Sequence, residues 1–570
     1  MRDTLRTLVE DAIREAIASG RIALSAVPTV ELERPRDPSH GDWATNVALK
    51  SAKEAGTNPR ALAEAIAAEV SGHPDIAAVE VAGPGFINIR LSDGALRRMV
   101  ATVREAGDAW GSTNVGAGRR VQVEFVSANP VGPMHVGHGR WAALGDSMAA
   151  ILAHAGWRVE REFYVNDAGV QMDIFAKSVA ARYLELAGRS VEFAPEWYQG
   201  AYITEIAREI RDDEGDVWAD ADASERESHF RERAYAQVLE HLKQVLHGMG
   251  VDFDVWFSER TLHEKDAGGL SAVDRAIAQL RALGFIYEAD GATWFASTSL
   301  PEWGDDKDRV LVKADGDLTY FAADIAYHRD KFERGFDRVI NIWGADHHGY
   351  VARMKAAVAA LGYPGRLDIV IGQLVTLLRN GEVVRMSKRT GEMVTFEELL
   401  DEVGADAARY FFLRRSTDQP LDFDIGLAKE QNSENPVFYV QYAHARICSI
   451  LRKAAGLAAD ADIDVENVVC TLVPAGVSLE PLTDPAEFTL IRKIAELPDV
   501  VESAADLLAP HKLPHYAEEL AATFHQFYTL CRVVSEDAEL TAARLALADA
   551  TRLTLARALA LVGVSAPERM

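Results

Sequence analysis

The stretch Val121-Gln-Val-Glu-Phe-Val126 runs into a loop rich in glycine and proline, Ser127-Ala-Asn-Pro-Val-Gly-Pro-Met-His135-Val-Gly-His138. A helical pattern over 140–156 and a second strand over 158–165 follow. Two strands joined through a helix open a parallel sheet, because parallel partners need such a crossover. The pattern resumes far downstream, with an apolar strand over 338–343, a loop over 344–349, a helix over 350–362 and a strand over 367–371. A sheet built from two separated halves needs an excursion between them. The segment 167–313 is too long for a crossover. Its charged, mostly helical pattern marks it as an insertion.

The remaining chain needs cores of its own, because 570 residues exceed what one core serves. Residues 1–112 read as an α+β unit. Helices are expected over 4–19 and 58–70, and alternating apolar residues over 77–91 flank a turn at Gly83-Pro84-Gly85. The small, polar run 111–119 reads as a linker. The sheet-bearing part then occupies 113–433. From 434 to 570 nearly every segment is helical in pattern, with a mobile loop expected around 457–480. Asn380-Gly381 between two apolar runs signals a hairpin.

Several classes of function are excluded or weakened. No apolar run approaches a membrane span, and the acid-containing amphipathic start is unlike a signal peptide. Cys448, Cys470 and Cys531 are widely spaced, which fits a reducing compartment and argues against a structural zinc cluster. The net charge of −27 counts against promiscuous nucleic-acid binding. It still permits a local basic face.

Chemistry-bearing residues gather on the loops after strands. His135 and His138 fall at a helix start, where unpaired N–H groups and the dipole favour phosphate. Gly137 permits close approach of a ligand. An ordinary helix-capping turn would use the same residues. The later run Arg385-Met386-Ser387-Lys388-Arg389-Thr-Gly391 carries Lys388, a point charge suited to a triphosphate, although short basic runs are usually solvated loops. Gly344-Ala-Asp346-His347-His348-Gly349 follows a strand at its C-terminal end, where parallel sheets bind ligands. Asp346 is placed to accept from ribose hydroxyls. A metal site is the alternative reading, but a third ligand at suitable spacing is missing. Glu124 and Asp324 lie within apolar runs, where a carboxylate needs a partner. That partner is either a ligand's guanidinium or a core salt bridge.

The first loop and the Lys388 run, in this order, resemble the paired nucleotide-binding signatures of class I aminoacyl-tRNA synthetases. The blocks Val123-Glu-Phe-Val-Ser-Ala-Asn-Pro, Tyr164-Val-Asn-Asp-Ala-Gly169, Trp343-Gly-Ala-Asp-His-His-Gly-Tyr350, Asn435-Pro-Val-Phe-Tyr-Val-Gln-Tyr-Ala-His-Ala-Arg446 and Ser565-Ala-Pro-Glu-Arg-Met570 resemble bacterial arginyl-tRNA synthetases over the whole chain. The resemblance implies an α/β fold: a class I Rossmann-type catalytic domain with a helical insertion, an N-terminal α+β domain touching the tRNA elbow, and a C-terminal all-α anticodon-binding bundle. It implies catalysis by His135, His138 and Lys388. ATP would be held by Gly137, Gly344, Asp346, His347, Met386 and Ser387, and arginine by Glu124, Asn129, Tyr320 and Asp324. Phe86, Asn88, Tyr439, Tyr442 and Met570 are its tRNA-contacting candidates, with aromatic stacking as the expected physics and core packing as the plain alternative for Tyr439. ATP with Mg2+, L-arginine and tRNA are the implied substrates, with no structural metal, no membrane, a cytoplasmic setting and a monomer. The usual Lys-Met-Ser-Lys-Ser reads Arg-Met-Ser-Lys-Arg here, keeping the second lysine. Position 132, where some members carry a compensating lysine, is glycine. The insertion lacks an editing pattern, and hydrogen-bond readout of a guanidinium discriminates without one. The rival readings are another class I synthetase, which would lack paired carboxylates for the side chain, and a non-catalytic RNA-binding regulator, which would not need His135, His138 and Lys388.

Overall fold

The computed structural model describes every residue except 1, 36, 380, 385–393, 459, 460, 462 and 463. The chain opens with the helix Arg2–Ala18, whose Leu5, Val9 and Ile13 are buried. Strands β1 (Trp43–Thr45), β2 (Ile76–Ala82) and β3 (Phe86–Leu91) form an antiparallel sheet in the order β1-β3-β2. The helix Pro59–Val70 packs on it. Proline opens that helix, and the Asn58 side chain accepts from the Ala61 N–H. Gly85 closes the β2–β3 hairpin at φ +146°, and a Cβ there would lie 2.9 Å from the backbone of Pro59. Only glycine allows that helix–hairpin contact.

Five parallel strands form the central sheet: β4 (Arg120–Glu124), β5 (Arg158–Val165), β6 (Val255–Ser258), β10 (Arg338–Gly344) and β11 (Leu367–Gly372). Their order is β11-β10-β4-β5-β6. From β4 the chain steps outward on one side and later returns on the other. The order therefore reverses between β4 and β10, and a crevice opens beyond their carboxyl ends. β7 (Ile286–Ala289), β8 (Ala292–Phe295) and β9 (Arg309–Val312) form a separate antiparallel sheet. Beyond β11, β12 (Val375–Arg379) and β13 (Glu382–Val383) make the expected hairpin, and β14 (Leu421–Asp424) pairs with β12 in parallel. Helices then fill Pro436–Ala454 to Ala538–Ala560.

Three expectations need correction. The segment 167–313 is not wholly outside the sheet, because β6 within it pairs with β5 and forms the sheet's edge. The helix expected from 140 spans Val136–His154, so Gly137 and His138 belong to its first turn. The run 111–119 is irregular, as expected of a linker, and is held closely at Gly116, where a Cβ would lie 2.4 Å from the Trp157 nitrogen. The supposed loop 457–480 contains the helix Val465–Leu472, which buries Val465 and Val469, and its Glu466 pairs with Arg552 at 2.7 Å.

The first and last parts of the chain pack against each other. Arg104 meets Asp549 at 3.1 Å, Arg34 meets Asp499 at 2.8 Å, and Arg492 meets Asp42 at 2.6 Å. Arg2 reaches Glu502 in the same interface. Among the described residues, no helix is long and apolar enough to cross a membrane.

Candidate active site

A cleft of about 570 Å³ opens at the reversal of strand order, bounded by the ends of β4, β5 and β10 and the segment after β6. The signature loop forms one wall. Its Val126 and Ser127 adopt φ of +68° and +43°, a strained region for non-glycine residues and worst for a β-branched one. The strain aims Ser127: its hydroxyl donates to Glu124 Oε1 at 2.9 Å and accepts the Tyr164 N–H at 3.2 Å. Asn129 follows on the cleft wall, its amide donating to Gln171 Oε1 at 2.6 Å.

His135 caps the helix Val136–His154, and its backbone N–H donates to His138 Nδ1 at 3.2 Å. With Nδ1 accepting, neutral His138 carries its proton on Nε2. The two rings stack at 3.7 Å, and His138 meets Trp141 edge-on at 5.3 Å. Capping is thus present, at the N-terminus of a 19-residue helix with no acid in its first turn, a setting that attracts anions. Arg140, fully buried, anchors this helix by donating to the carbonyls of Gln373, Ser416 and Gln419 at 2.9–3.0 Å. Its burial pushes the guanidinium down to about 10. Gly372 and Gly344 make room for Trp141, since a Cβ on either would lie 2.3 or 3.0 Å from the indole.

Lys388, Met386 and Ser387 lie outside the described residues. The residues on either side of that run are placed: Val384 N–H bonds Leu377 O at 2.9 Å within the hairpin, and Phe396 N–H bonds Met134 O at 2.9 Å. Thr395 makes an isolated bridge with His135. The described residues that flank the second signature thus lie on the hairpin at one end and beside the first signature at the other.

The opposite wall is acidic. Asp324, on the helix Tyr320–Glu333, is half-buried and lines the cleft. Burial foremost, then the charges of Glu124 and Glu259, push that carboxyl up to about 7, against the opposing pull of a Tyr350 hydrogen bond and Lys331. Glu259, directly after β6, is 5% exposed and raises the proton affinity of His263 by hydrogen bonding to it. Tyr164 lies between the walls, its phenol raised by burial and then by Glu259, Asp324 and Glu124. Glu124 has both oxygens engaged, one by Ser127 and the other by Lys331 Nζ at 2.5 Å. Tyr320 stands at the rim, 67% exposed. Asp346 and His347 lie on the short 3-10 turn Ala345–Tyr350 at the outer edge, 3.6 Å apart. Gly344 precedes them, and Gly137 sits against the His135 ring.

The cleft thus brings together Glu124, Asn129, His135, His138, Tyr320, Asp324, Gly344, Asp346 and His347. The motifs did not reveal the roles of Glu259, Arg140 and Lys331. Glu259 follows a four-residue strand inside a charged segment, and only the pairing of β6 with β5 brings it to the cleft.

The other candidates lie elsewhere. Phe86, the first residue of β3, is 36% exposed, whereas Asn88 is buried between β1 and β2. Tyr439 is half-buried on the helix Pro436–Ala454, against His525 at 5.2 Å. Tyr442 is exposed on the same helix, and the Arg446 guanidinium lies 4.8 Å over its ring and 5.1 Å over Tyr528. Met570 is exposed nearby, at a cleft it shares with Phe438 and Gln441.

Comparison with known proteins covers the same three regions. Residues 3–91 match the arginyl tRNA synthetase N terminal domain, 106–419 the catalytic domain of class I (R) tRNA synthetases, and 440–570 the DALR anticodon binding domain. An arginine–tRNA ligase of Heliobacterium modesticaldum is 51% identical, covering 100% of this chain and 99% of the relative. That of Bacillus subtilis is 46% identical with the same coverage. Among solved structures, a putative arginyl-tRNA synthetase from Campylobacter jejuni superposes with a TM-score of 0.75 at 33% identity, covering 84% of this chain and 100% of that one. The Thermus thermophilus arginyl-tRNA synthetase shares the fold over the full length of both chains, with a TM-score of 0.73 at 22% identity.

Proposed function

The chain belongs to the arginyl-tRNA synthetase family and joins arginine to tRNA in an ATP-dependent reaction; on that premise we propose which of its residues carry each part. The carrying observation is that one cleft is lined both by His135 and His138 at a helix start and by the carboxylates Glu124, Glu259 and Asp324. Asp324 and Glu259 hold the guanidinium, which needs planar, charge-assisted acceptors. Glu124 forms the floor beneath them. Tyr320 covers the side chain from the rim, and Asn129 orients the α-substituents.

In activation, an arginine carboxylate oxygen attacks the α-phosphorus of ATP. A P–O bond forms, the bond to the bridging oxygen breaks, and pyrophosphate leaves with its electrons. Such a step is catalysed mainly by positioning and by fixed charge. His135 and His138 donate to phosphate oxygens from the helix start, Gly137 and Gly344 let the nucleotide approach, and Lys388, with Met386 and Ser387, supplies charge to the leaving group. Asp346 and His347 meet the ribose. Mg2+ enters on the triphosphate, the usual mode for an ion that keeps most of its waters. No three His, Cys, Asp or Glu side chains gather as metal ligands among the described residues.

Arginine then passes to the terminal ribose of tRNA. Phe86 serves the elbow, with Asn88 buried in the sheet beside it, and Tyr439, Tyr442 and Met570 serve the anticodon arm. On this reading the domains divide at 112/113 and 433/434, and the enzyme works as a cytoplasmic monomer. The test is ATP consumption with each amino acid in turn, with and without tRNA. Turnover with arginine and with no other amino acid is expected. Turnover with another amino acid would overturn the assignment of the acidic wall.

A further inference from the structure

Behind the acidic wall a continuous chain of hydrogen bonds runs from Glu124, at the cleft, through buried side chains to the backbone of Asp324. Lys331 is fully buried, two turns along the helix from Asp324. Its ammonium donates to Glu124 at 2.5 Å and to Asn341 Oδ1 at 3.0 Å. An ammonium has only donors, so it fixes the Asn341 amide with its oxygen inward. The amide NH2 then donates to His328 Nε2 at 2.8 Å. His328 must therefore carry its proton on Nδ1, which donates to the Asp324 carbonyl at 2.7 Å. Burial, followed by the Lys331 charge, lowers His328 to about 3, so the ring stays neutral. One cation thus sets the direction of every bond from the end of β4 to the backbone of Asp324.

The charge balance makes this consequential. Glu124, Asp324 and Glu259 all line one cleft. Tyr164 from β5 and Tyr350 from the 3-10 turn also face Asp324, and Arg353 lies behind Tyr350 at 4.6 Å. Among these groups Lys331 is the cation paired with Glu124. A desolvated carboxylate beside two others takes up a proton unless a cation offsets them.

We propose that Lys331 is a positioning residue for the arginine site: it clamps Glu124 to the floor, fixes the Asn341–His328 chain to the Asp324 backbone, and places one positive charge behind the carboxylates that receive a guanidinium. The inference rests on the assignment of Asp324 and Glu259 as guanidinium acceptors.

Arginine binding to the full chain, measured by calorimetry across pH values on both sides of neutrality, tests it. Asp324 with its proton affinity raised is protonated below about pH 7, so arginine affinity of the wild type should fall as pH drops through that region. Lys331→Met should move this inflection upward by about one pH unit, a tenfold change in proton affinity. Glu124→Gln should move it downward, and the double variant should return it towards the wild type. ATP affinity should stay within about twofold, since the chain touches only the arginine wall. Should Lys331→Met fail to fold, Glu124→Gln alone decides, because a merely structural role weakens binding without moving the inflection. An unmoved or upward inflection in Glu124→Gln overturns the proposal. Unchanged arginine affinity in Asp324→Asn would instead overturn the underlying acceptor assignment.

Discussion

Tyr202, on the helix Ala201–Glu214 of the insertion, donates its hydroxyl to the carbonyl of Val131 at 2.8 Å. Its ring lies so close to Gly132 that a Cβ there would meet it at 2.7 Å. The insertion therefore braces the loop that carries Asn129 and His135. Tyr202→Phe keeps the ring and removes one hydrogen bond, worth about 0.5–1.5 kcal/mol. Arginine activation should slow by about threefold to tenfold, with a small change in melting temperature. Unaltered activation would show that ring packing alone holds the loop.

Asp324→Asn should discriminate less well between arginine and citrulline. Truncating one partner of a buried charge pair costs about 2–5 kcal/mol. The loss should appear in arginine KM and in the arginine-to-citrulline ratio of kcat/KM, with ATP KM unaffected. An unchanged ratio would mean that the acidic wall does not read the side chain.

His138→Ala removes an imidazole from the helix start without touching the acidic wall. Activation kcat should fall with little change in arginine KM, the pattern of a contact made mainly in the transition state. Normal turnover per folded molecule, combined with lower stability, would leave His138 as a cap only. Lys388→Ala should slow activation by about 10²–10³, as for loss of one preorganised contact to developing charge. A wild-type activation rate in that variant would assign the role to another cation.

Phe86→Ala and removal of Arg569 and Met570 should weaken tRNA charging and leave arginine and ATP binding unchanged. Stacking on one base contributes about 1–3 kcal/mol. Added salt should weaken tRNA affinity as well, because phosphate contacts release counterions. If both variants bind tRNA like the wild type, the ends serve stability rather than RNA.

The legible parts of this molecule were those written in local pattern. The strand Arg158–Val165 matched residue for residue, because alternation, length and a preceding Gly-Trp turn agreed. Local pattern failed where distant packing decided. The helix at Val136 begins earlier than its glycines favour, since Gly139 is pressed against Phe396 and that contact outweighs propensity. β6 is four residues in a charged segment and is recognisable only by its partner. Lys331 looks like any cation near a helix end, and its carboxylate lies 207 residues away. In the site, the motif residues reached one cleft, but the engaged state of Glu124 and the arrival of Glu259 depend on strand order, which periodicity does not encode.

The ion pairs between the part of the chain before 111–119 and its last hundred residues make the molecule a ring with two kinds of closure. One is the peptide chain through 111–119. The other is Arg34, Arg97, Arg104 and Arg492 on their carboxylates, with apolar helices behind them. A protease cut in 111–119 should therefore release nothing: the severed pieces should travel together through gel filtration. The uncut chain gains the converse safeguard, because a partner that pries one closure open finds the other still fastened.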